Sequence, residues 1–90
     1  MRLVFSARSW ADYLFWQESD KAVLARLNAL IGDTARHPFQ GIGKPEPLRN
    51  EMSGWWSRRI TGEHRLVYRV SGSGEAQSLE IASCRFHYGR

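Results

Sequence analysis

The chain has 90 residues, a formal net charge of +4, 42% hydrophobic residues, and eleven arginines against two lysines. This length predicts one domain over residues 1–90, with a single core and no room for a second. One cysteine, Cys84, excludes an intrachain disulfide, and the cysteine and histidine spacings match no zinc site, so no metal or other cofactor is expected. The arginine bias favours a nucleic-acid partner, because the planar guanidinium grips phosphate through two donors.

No stretch approaches the roughly 20 apolar residues of a membrane span, and the opening MRLVFSARSW lacks the apolar run of a signal peptide. A lone cysteine is typical of a reducing compartment. These features predict a cytoplasmic protein with no membrane partner.

The first half of the chain predicts a strand followed by two helices. Residues 2–5 (RLVF) are short and apolar, and Ser9 begins a pattern close to a capping box. Asp20 is an N-cap candidate for the second helix, which Pro38 ends. The apolar stripe of that helix consists of Val23, Leu24, Leu27, Leu30 and Ile31.

The second half changes from helical to strand periodicity. Residues 39–47 predict a loop, because they hold two glycines and two prolines and show no periodicity. WWSRRIT and HRLVYRV predict a hairpin, residues 71–78 (SGSGEAQS) a flexible turn, and LEIASCRFHY the last strand.

This order of elements predicts an α+β fold with two N-terminal helices packed on a mainly antiparallel sheet. The helices should cover one face of the sheet and leave the other free for a partner. Alternation in the strand after the hairpin puts Leu66, Tyr68 and Val70 on one face and Arg65, Val67 and Arg69 on the other.

One glutamate, Glu46, stands between two prolines in the stretch GKPEPL. Each proline fixes its own φ and lacks an N–H, and the second disfavours helical backbone at the glutamate. A rigid loop with an ordinary surface carboxylate would explain the pattern. A preorganised general base would also explain it, because a base must be held within hydrogen-bond reach of one hydroxyl.

Arginines on the hairpin strands and polar groups near the end of the chain join this glutamate in a set that can cut RNA without a metal. The set comprises Glu46, Arg58, Arg59, Arg65, Arg85, His87 and Tyr88. A base would deprotonate the 2′-OH, arginines would stabilise the phosphorane, and an acid would protonate the leaving 5′-oxygen. Solvated strand arginines and a frayed terminal histidine are the alternative interpretation.

Three other reactive side chains are assigned no chemistry. Cys84 lies in an apolar strand and has no partner to lower its pKa, so it is not expected to be a nucleophile. His37 falls at a helix end and His64 beside a turn, where we expect surface roles.

The chain resembles the YoeB (Txe/YoeB) toxins of bacterial toxin–antitoxin modules, within the RelE superfamily. The stretches that carry the resemblance are SARSWADYLFWQESDK, HPFQGIGKPEPLRNEMSGWWSRRITGEHRLVYRV and CRFHY. The resemblance implies a microbial-ribonuclease-like α+β fold and cleavage of mRNA in the ribosomal A site. It also implies contacts with the 30S and 50S subunits, a cognate YefM-type antitoxin, homodimerisation and, together with the antitoxin, binding to operator DNA.

Matched position by position, the resemblance implies a general base, a phosphorane-stabilising group, a general acid and a further active-site group. These are, in order, Glu46, Arg65, His87 and Tyr88. RNA contacts are predicted for four cations, Lys44, Arg49, Arg58 and Arg59. The chain departs from the family pattern by two residues after Tyr88, Gly89 and Arg90, and by a longer turn at 71–78.

Two other functions fit a small basic domain of this kind. A non-cleaving protein could block translation by occupying RNA or the ribosome, and the same superfamily contains toxins that poison gyrase. The combination of Glu46 and His87 favours cleavage, because neither alternative needs a base and an acid.

Overall fold

The computed structural model describes residues 1–87 as a five-stranded sheet with two helices packed against it. The main elements are β1 (Arg2–Phe5), α1 (Ala7–Ser19), α2 (Lys21–Arg36), β2 (Glu46–Pro47), β3 (Trp56–Arg59), β4 (Arg65–Ser71) and β5 (Ser78–Ser83). Short 3₁₀ turns follow β2 and β4. Among residues 1–87, none of the helices combines the length and apolarity needed to cross a bilayer.

The sheet order is β1-β5-β4-β3-β2. The pairs β2–β3, β3–β4 and β4–β5 are antiparallel, and only β1 runs parallel to its neighbour, β5. The predicted α+β fold with a mainly antiparallel sheet is therefore confirmed.

The helix boundaries follow their caps. Ser6, not Ser9, caps α1: its Oγ accepts the Ser9 N–H at 3.0 Å. The predicted start at Ser9 is therefore three residues late. Ser9 is instead buried inside α1, where its hydroxyl donates to the Ile81 carbonyl at 2.7 Å. Asp20 caps α2 as predicted, with its carboxylate accepting two backbone N–H groups of the first turn, and the helix ends ahead of Pro38.

The core lies between the helices and one face of the sheet. Its buried members are Trp16, Leu27, Leu30, Ile31, Ile60, Leu66, Tyr68, Leu79, Ile81 and Cys84. Leu66 and Tyr68 of β4 are both fully buried in this core, and Val70 packs against it. The alternation predicted for this strand is thus confirmed on its helix-facing side.

The second face of the sheet was predicted to be free, but part of it is buried. Residues 46–47 pair with β3 instead of belonging to the loop, and the pairing extends to a hydrogen bond from the Leu48 N–H to the Trp55 carbonyl at 2.9 Å. By strand alternation Leu48 and Trp55 lie on the second face. Val67 of that face is only 1% exposed and Leu48 7%. We infer from this burial that the connection between β2 and β3 covers part of this face. The sequence did not predict this cover, because local pattern does not reveal where a loop folds back.

Candidate functional site

Glu46 lies on the edge strand β2, directly opposite Ser57 of β3. Its side chain is exposed. Two constraints therefore act on its backbone: the flanking prolines limit its φ and ψ, and the strand pairing fixes its place on the sheet. The backbone of Glu46 is thus held in position by the fold, and its carboxylate is open to a ligand.

A surface depression of ≈ 470 Å³ adjoins this carboxylate. It is lined by Glu46, Pro47, Leu48, Arg49 and Asn50. Arg49 is exposed, so a proton acceptor and a guanidinium border the same depression. A phosphate ester lying there can meet both groups, because a guanidinium binds phosphate oxygens while the carboxylate faces a hydroxyl.

Arg59 of β3 and Arg65 of β4 stand directly opposite each other in the antiparallel register. Arg59 is exposed, whereas Arg65 is 8% exposed and its Nη1 donates to the Thr61 and Gly62 carbonyls at 2.8 and 3.2 Å. Within residues 1–87 neither arginine forms an ion pair with a carboxylate. Like charges directly opposite destabilise a strand pair, so this arrangement favours binding of an anion.

Glu46 shares its face of the sheet with these arginines. The register places Glu46 beside Ser57, and Arg59, two residues along β3, beside Arg65. Two strand spacings of about 4.8 Å and two residues of about 3.4 Å put the Glu46 and Arg65 backbones about 12 Å apart. Two long side chains and a phosphodiester between them can span that distance.

The segment after β5 brings His87 to the same end of the sheet. β5 ends at Ser83, and the chain then bends, so the predicted continuous strand through residue 88 is wrong. The Arg65 N–H donates to the Phe86 carbonyl at 3.0 Å, and the Phe86 N–H donates to His64 Nδ1 at 2.7 Å. His87 follows directly, half-buried, and lies near Arg65 in consequence.

Arg58 does not belong to this site. It lies opposite Leu66 of the core face and has no exposed surface. Its guanidinium donates to five acceptors among the described residues, namely Asp33 Oδ2, Tyr68 Oη and the carbonyls of His37, Gln40 and Ile42. The prediction that Arg58 contacts RNA is therefore wrong, because its charge is used inside the protein to hold residues 37–42 on the core. Its hydrogen bond keeps the pKa of the Asp33 carboxyl below its usual range.

The remaining predicted residues fall into two groups. Lys44, Arg49 and Arg59 are exposed and lie on the strands or loops around Glu46. Tyr88, predicted as an active-site group, lies outside the described residues.

Cys84 and His64 also differ in their settings. Burial raises the pKa of the Cys84 thiol to about 12, in agreement with the expectation that it is no nucleophile. His64 was expected on the surface, but it packs edge-on against Trp16 at a centroid distance of 4.8 Å. The sequence carried no local signal for this contact, because the two residues are far apart along the chain.

Solved structures that resemble this chain include bacterial toxins. The chain superposes with a TM-score of 0.94 on "YoeB/ParE toxin from Agrobacterium tumefaciens", at 58% identity over 98% of this chain and 100% of the other. It superposes with a TM-score of 0.86 on "YoeB-YefM complex from Staphylococcus aureus", at 38% identity over 98% of both chains. These likenesses define the class as a toxin of a toxin–antitoxin pair.

The family follows from the sequence comparisons. The family model of the YoeB-like toxin of bacterial type II toxin–antitoxin systems matches residues 5–88. Toxin YoeB of Escherichia coli strain K12 is 58% identical over 88 residues, which cover 98% of this chain and all of the relative. The chain belongs to the YoeB-like toxins, and the resemblance inferred from its motifs is confirmed.

Proposed function

We propose that this toxin is an endoribonuclease that cuts mRNA in the A site of the ribosome and so inhibits translation in the cytoplasm. The observation that supports the proposal is the backbone geometry: the strand register puts Glu46 and Arg65 on one face of the sheet, and the hydrogen bond from the Arg65 N–H to the Phe86 carbonyl brings the next residue, His87, close to Arg65. A base, a cation and an acid within reach of one phosphodiester are the groups that this cleavage needs.

The reaction uses only side chains of this chain and the RNA itself. Glu46 takes the proton of the 2′-OH, the 2′-oxygen forms a bond to phosphorus, and the bond from phosphorus to the 5′-oxygen breaks. His87 gives its proton to the leaving 5′-oxygen, so the products carry a 2′,3′-cyclic phosphate and a 5′-hydroxyl. Each proton transfer contributes typically about 10²–10⁴-fold to the rate.

The arginines act on charge. The phosphorane gains negative charge as the 2′-oxygen attacks, and Arg65 is fixed by its bonds to the Thr61 and Gly62 carbonyls before the substrate arrives. A preorganised cation stabilises the transition state without reorganising during the reaction. Tyr88 is proposed as a further active-site group beside His87.

Exposed cations around the site would hold the RNA strand. Lys44, Arg49 and Arg59 are exposed on the elements around Glu46 and can each bind one phosphate. Binding should therefore weaken as salt concentration rises. The basic surface is also proposed to contact the 30S and 50S subunits, which present the mRNA to an enzyme this small.

An antitoxin of the YefM type is proposed to neutralise the protein. The support is the structural likeness to the toxin chain of the Staphylococcus aureus "YoeB-YefM complex". A homodimer is proposed on the likeness to "The structure of YoeB dimer from Staphylococcus aureus", which has a TM-score of 0.86 and 39% identity. Together with the antitoxin, the toxin is proposed to bind operator DNA.

The decisive experiment maps mRNA ends by primer extension in a translating extract supplied with the purified toxin. Wild type should create new 5′ ends within translated codons, and Glu46→Gln should lower their yield by at least about 10²-fold. Glu51→Gln is the matched control, since Glu51 is an exposed glutamate of the same connection outside the depression lining. Its activity should equal that of wild type.

The same assay separates the other functions. Inhibited translation with intact mRNA would indicate a non-cleaving inhibitor, and loss of plasmid supercoiling with purified gyrase would indicate a gyrase poison. Cleavage products bearing 3′-hydroxyl ends, in place of cyclic phosphates, would refute the acid–base scheme. A metal requirement beyond ribosome integrity would refute it as well.

A further inference from the structure

We infer that His64 is a positioning residue for the acid: its unprotonated Nδ1 holds the Phe86 backbone in the conformation that sets where His87 points. The inference rests on the proposed role of His87, the residue immediately after Phe86. His64 itself contacts no reacting atom in this scheme. It acts through the backbone of the segment that follows β5.

The backbone of Phe86 is in a conformation that needs support. Its φ is 65°, in the left-handed region that bulky residues rarely adopt. Both of its polar backbone groups are bound by consecutive residues, His64, which precedes β4, and Arg65, the first residue of β4. The N–H donates to His64 Nδ1 at 2.7 Å, and the carbonyl accepts the Arg65 N–H at 3.0 Å. The first hydrogen bond thus orients the peptide group before Phe86, and the second orients the peptide group between Phe86 and His87.

The imidazole that accepts this hydrogen bond is itself fixed. Its ring packs edge-on against Trp16, and its side chain is 14% exposed. The His64 N–H donates to Thr61 Oγ1 at 3.1 Å, which anchors the residue to the β3–β4 turn. Trp16 Nε1 donates to the Cys84 carbonyl at 2.8 Å. The contact between ring and segment is therefore part of a frame made from α1, the hairpin turn and the residues after β5.

The hydrogen bond determines the tautomer of His64. A nitrogen that accepts an N–H carries no proton, so the neutral ring must hold its proton on Nε2. Nε2 lies 3.5 Å from Glu63 Oε1, a carboxylate oxygen that can accept that proton's hydrogen bond. A ring protonated at both nitrogens would lose the acceptor and face the Phe86 N–H with a second donor.

A second set of contacts holds the side chain of Phe86, whose ring also lies 5.8 Å from the His64 ring. The Arg85 guanidinium lies 3.4 Å from the Phe15 ring centroid and 4.5 Å from the Phe86 ring centroid. This stacking fixes the ring of Phe86, but it does not bind the backbone N–H. The two contacts thus make different predictions: loss of the His64 acceptor should release the peptide and leave the stacked ring in place.

Two substitutions separate positioning from plain stability. His64→Phe keeps an aromatic ring against Trp16 but removes the acceptor. His64→Asn loses the ring packing but keeps an oxygen near the position of Nδ1. If His64 positions the acid, His64→Phe should lower kcat at least tenfold with KM within twofold, and His64→Asn should keep kcat within threefold of wild type.

Thermal stability should rank the two variants in the opposite order, with the Tm of His64→Asn below that of His64→Phe. His37→Phe is the control for a histidine exposed elsewhere, and its kcat should be unchanged.

A rate ranking that simply follows thermal stability would overturn the inference, as would wild-type kcat in His64→Phe. The clamp is also tested without cleavage, by ¹⁵N NMR of the histidine rings in the full-length Glu46→Gln protein. The Nε2–H tautomer of His64, with Phe86 shifts that change in His64→Phe and not in His37→Phe, supports it. The Nδ1–H tautomer would overturn it. If wild type itself fails to cut mRNA, the proposed function fails, and this NMR result still decides whether the clamp exists.

Discussion

Replacing Arg58 with lysine should destabilise the whole protein, although it keeps the positive charge. The same substitution at the neighbouring Arg59 should be tolerated. The Arg58 guanidinium serves its five acceptors from three nitrogen atoms that point in different directions. A lysine ammonium has three donors on one nitrogen, so at least two of these acceptors lose their partner. Arg59 is exposed, and its substitution removes nothing from the core.

The size of the effect follows from the acceptors that are left over. A buried polar group without a partner costs about 1–3 kcal/mol. Because several of these carbonyls lie in a partly exposed loop, two lost partners should destabilise the protein by about 2–4 kcal/mol. For a domain of this size each kcal/mol corresponds to about 4–8 °C in Tm, so Arg58→Lys should lower Tm by at least about 8 °C.

The measurement is thermal and urea unfolding followed by tryptophan fluorescence, with every variant carrying Glu46→Gln so that an inactive toxin can be produced. Arg59→Lys in the same background is the matched control and should remain within about 0.5 kcal/mol of its parent. Equal stability of the Arg58→Lys and Arg59→Lys proteins would refute the assignment of Arg58 to the interior scaffold. The RNA-binding prediction for Arg58 would then be open again.

Three further experiments test the Asp33–Arg58 ion pair, the buried Cys84 thiol and the prolines that flank Glu46. The Arg58 hydrogen bond lowers the Asp33 pKa, so this carboxylate stabilises the fold above about pH 4, and its contribution is lost as the pH falls below that value. The stability of Asp33→Asn should therefore decrease less steeply in acid than that of its parent. Urea midpoints that fall equally steeply with pH in both proteins would contradict this. Burial raises the pKa of the Cys84 thiol to about 12, so iodoacetamide at pH 8 should label the unfolded protein and leave the native protein unmodified. Rapid labelling of the native protein would show that the thiol is not buried. Replacing Pro45 and Pro47 together by alanine should lower kcat measurably but by less than about tenfold, because strand pairing also holds this segment. An unchanged primer-extension yield would show that the prolines do not preorganise Glu46.

The elements that the sequence predicted correctly depend on contacts between residues that are close along the chain. A cap at Asp20 and an apolar stripe specify α2, because hydrogen bonds and contacts in a helix join residues three or four apart. The hairpin was also predicted correctly, since its two strands are adjacent in the chain and a short turn joins them. The motif GKPEPL identified Glu46 as constrained, because proline restricts the backbone whatever the surrounding fold.

The opposite settings of Arg58 and Arg59 required the tertiary structure. Adjacent strand residues must face opposite sides, but which one faces the helices depends on the pairing of Arg58 with Leu66. The covering of the second face by Leu48 and Trp55 likewise depends on how β2 meets β3. Composition predicted a basic protein, and only the register determined which cations remain at its surface.

For His87, too, the sequence determines one part of the result and the tertiary structure the other. Its identity and its position near the end of the chain are read from the sequence, together with the family that its neighbouring motifs indicate. Its nearness to Arg65 depends on two hydrogen bonds between Phe86 and residues more than twenty positions earlier. Local preferences determine which helices and strands form, because they act between near neighbours. The relative positions of the candidate site residues were decided by long-range contacts, which exist only once the sheet and its covering segments have packed.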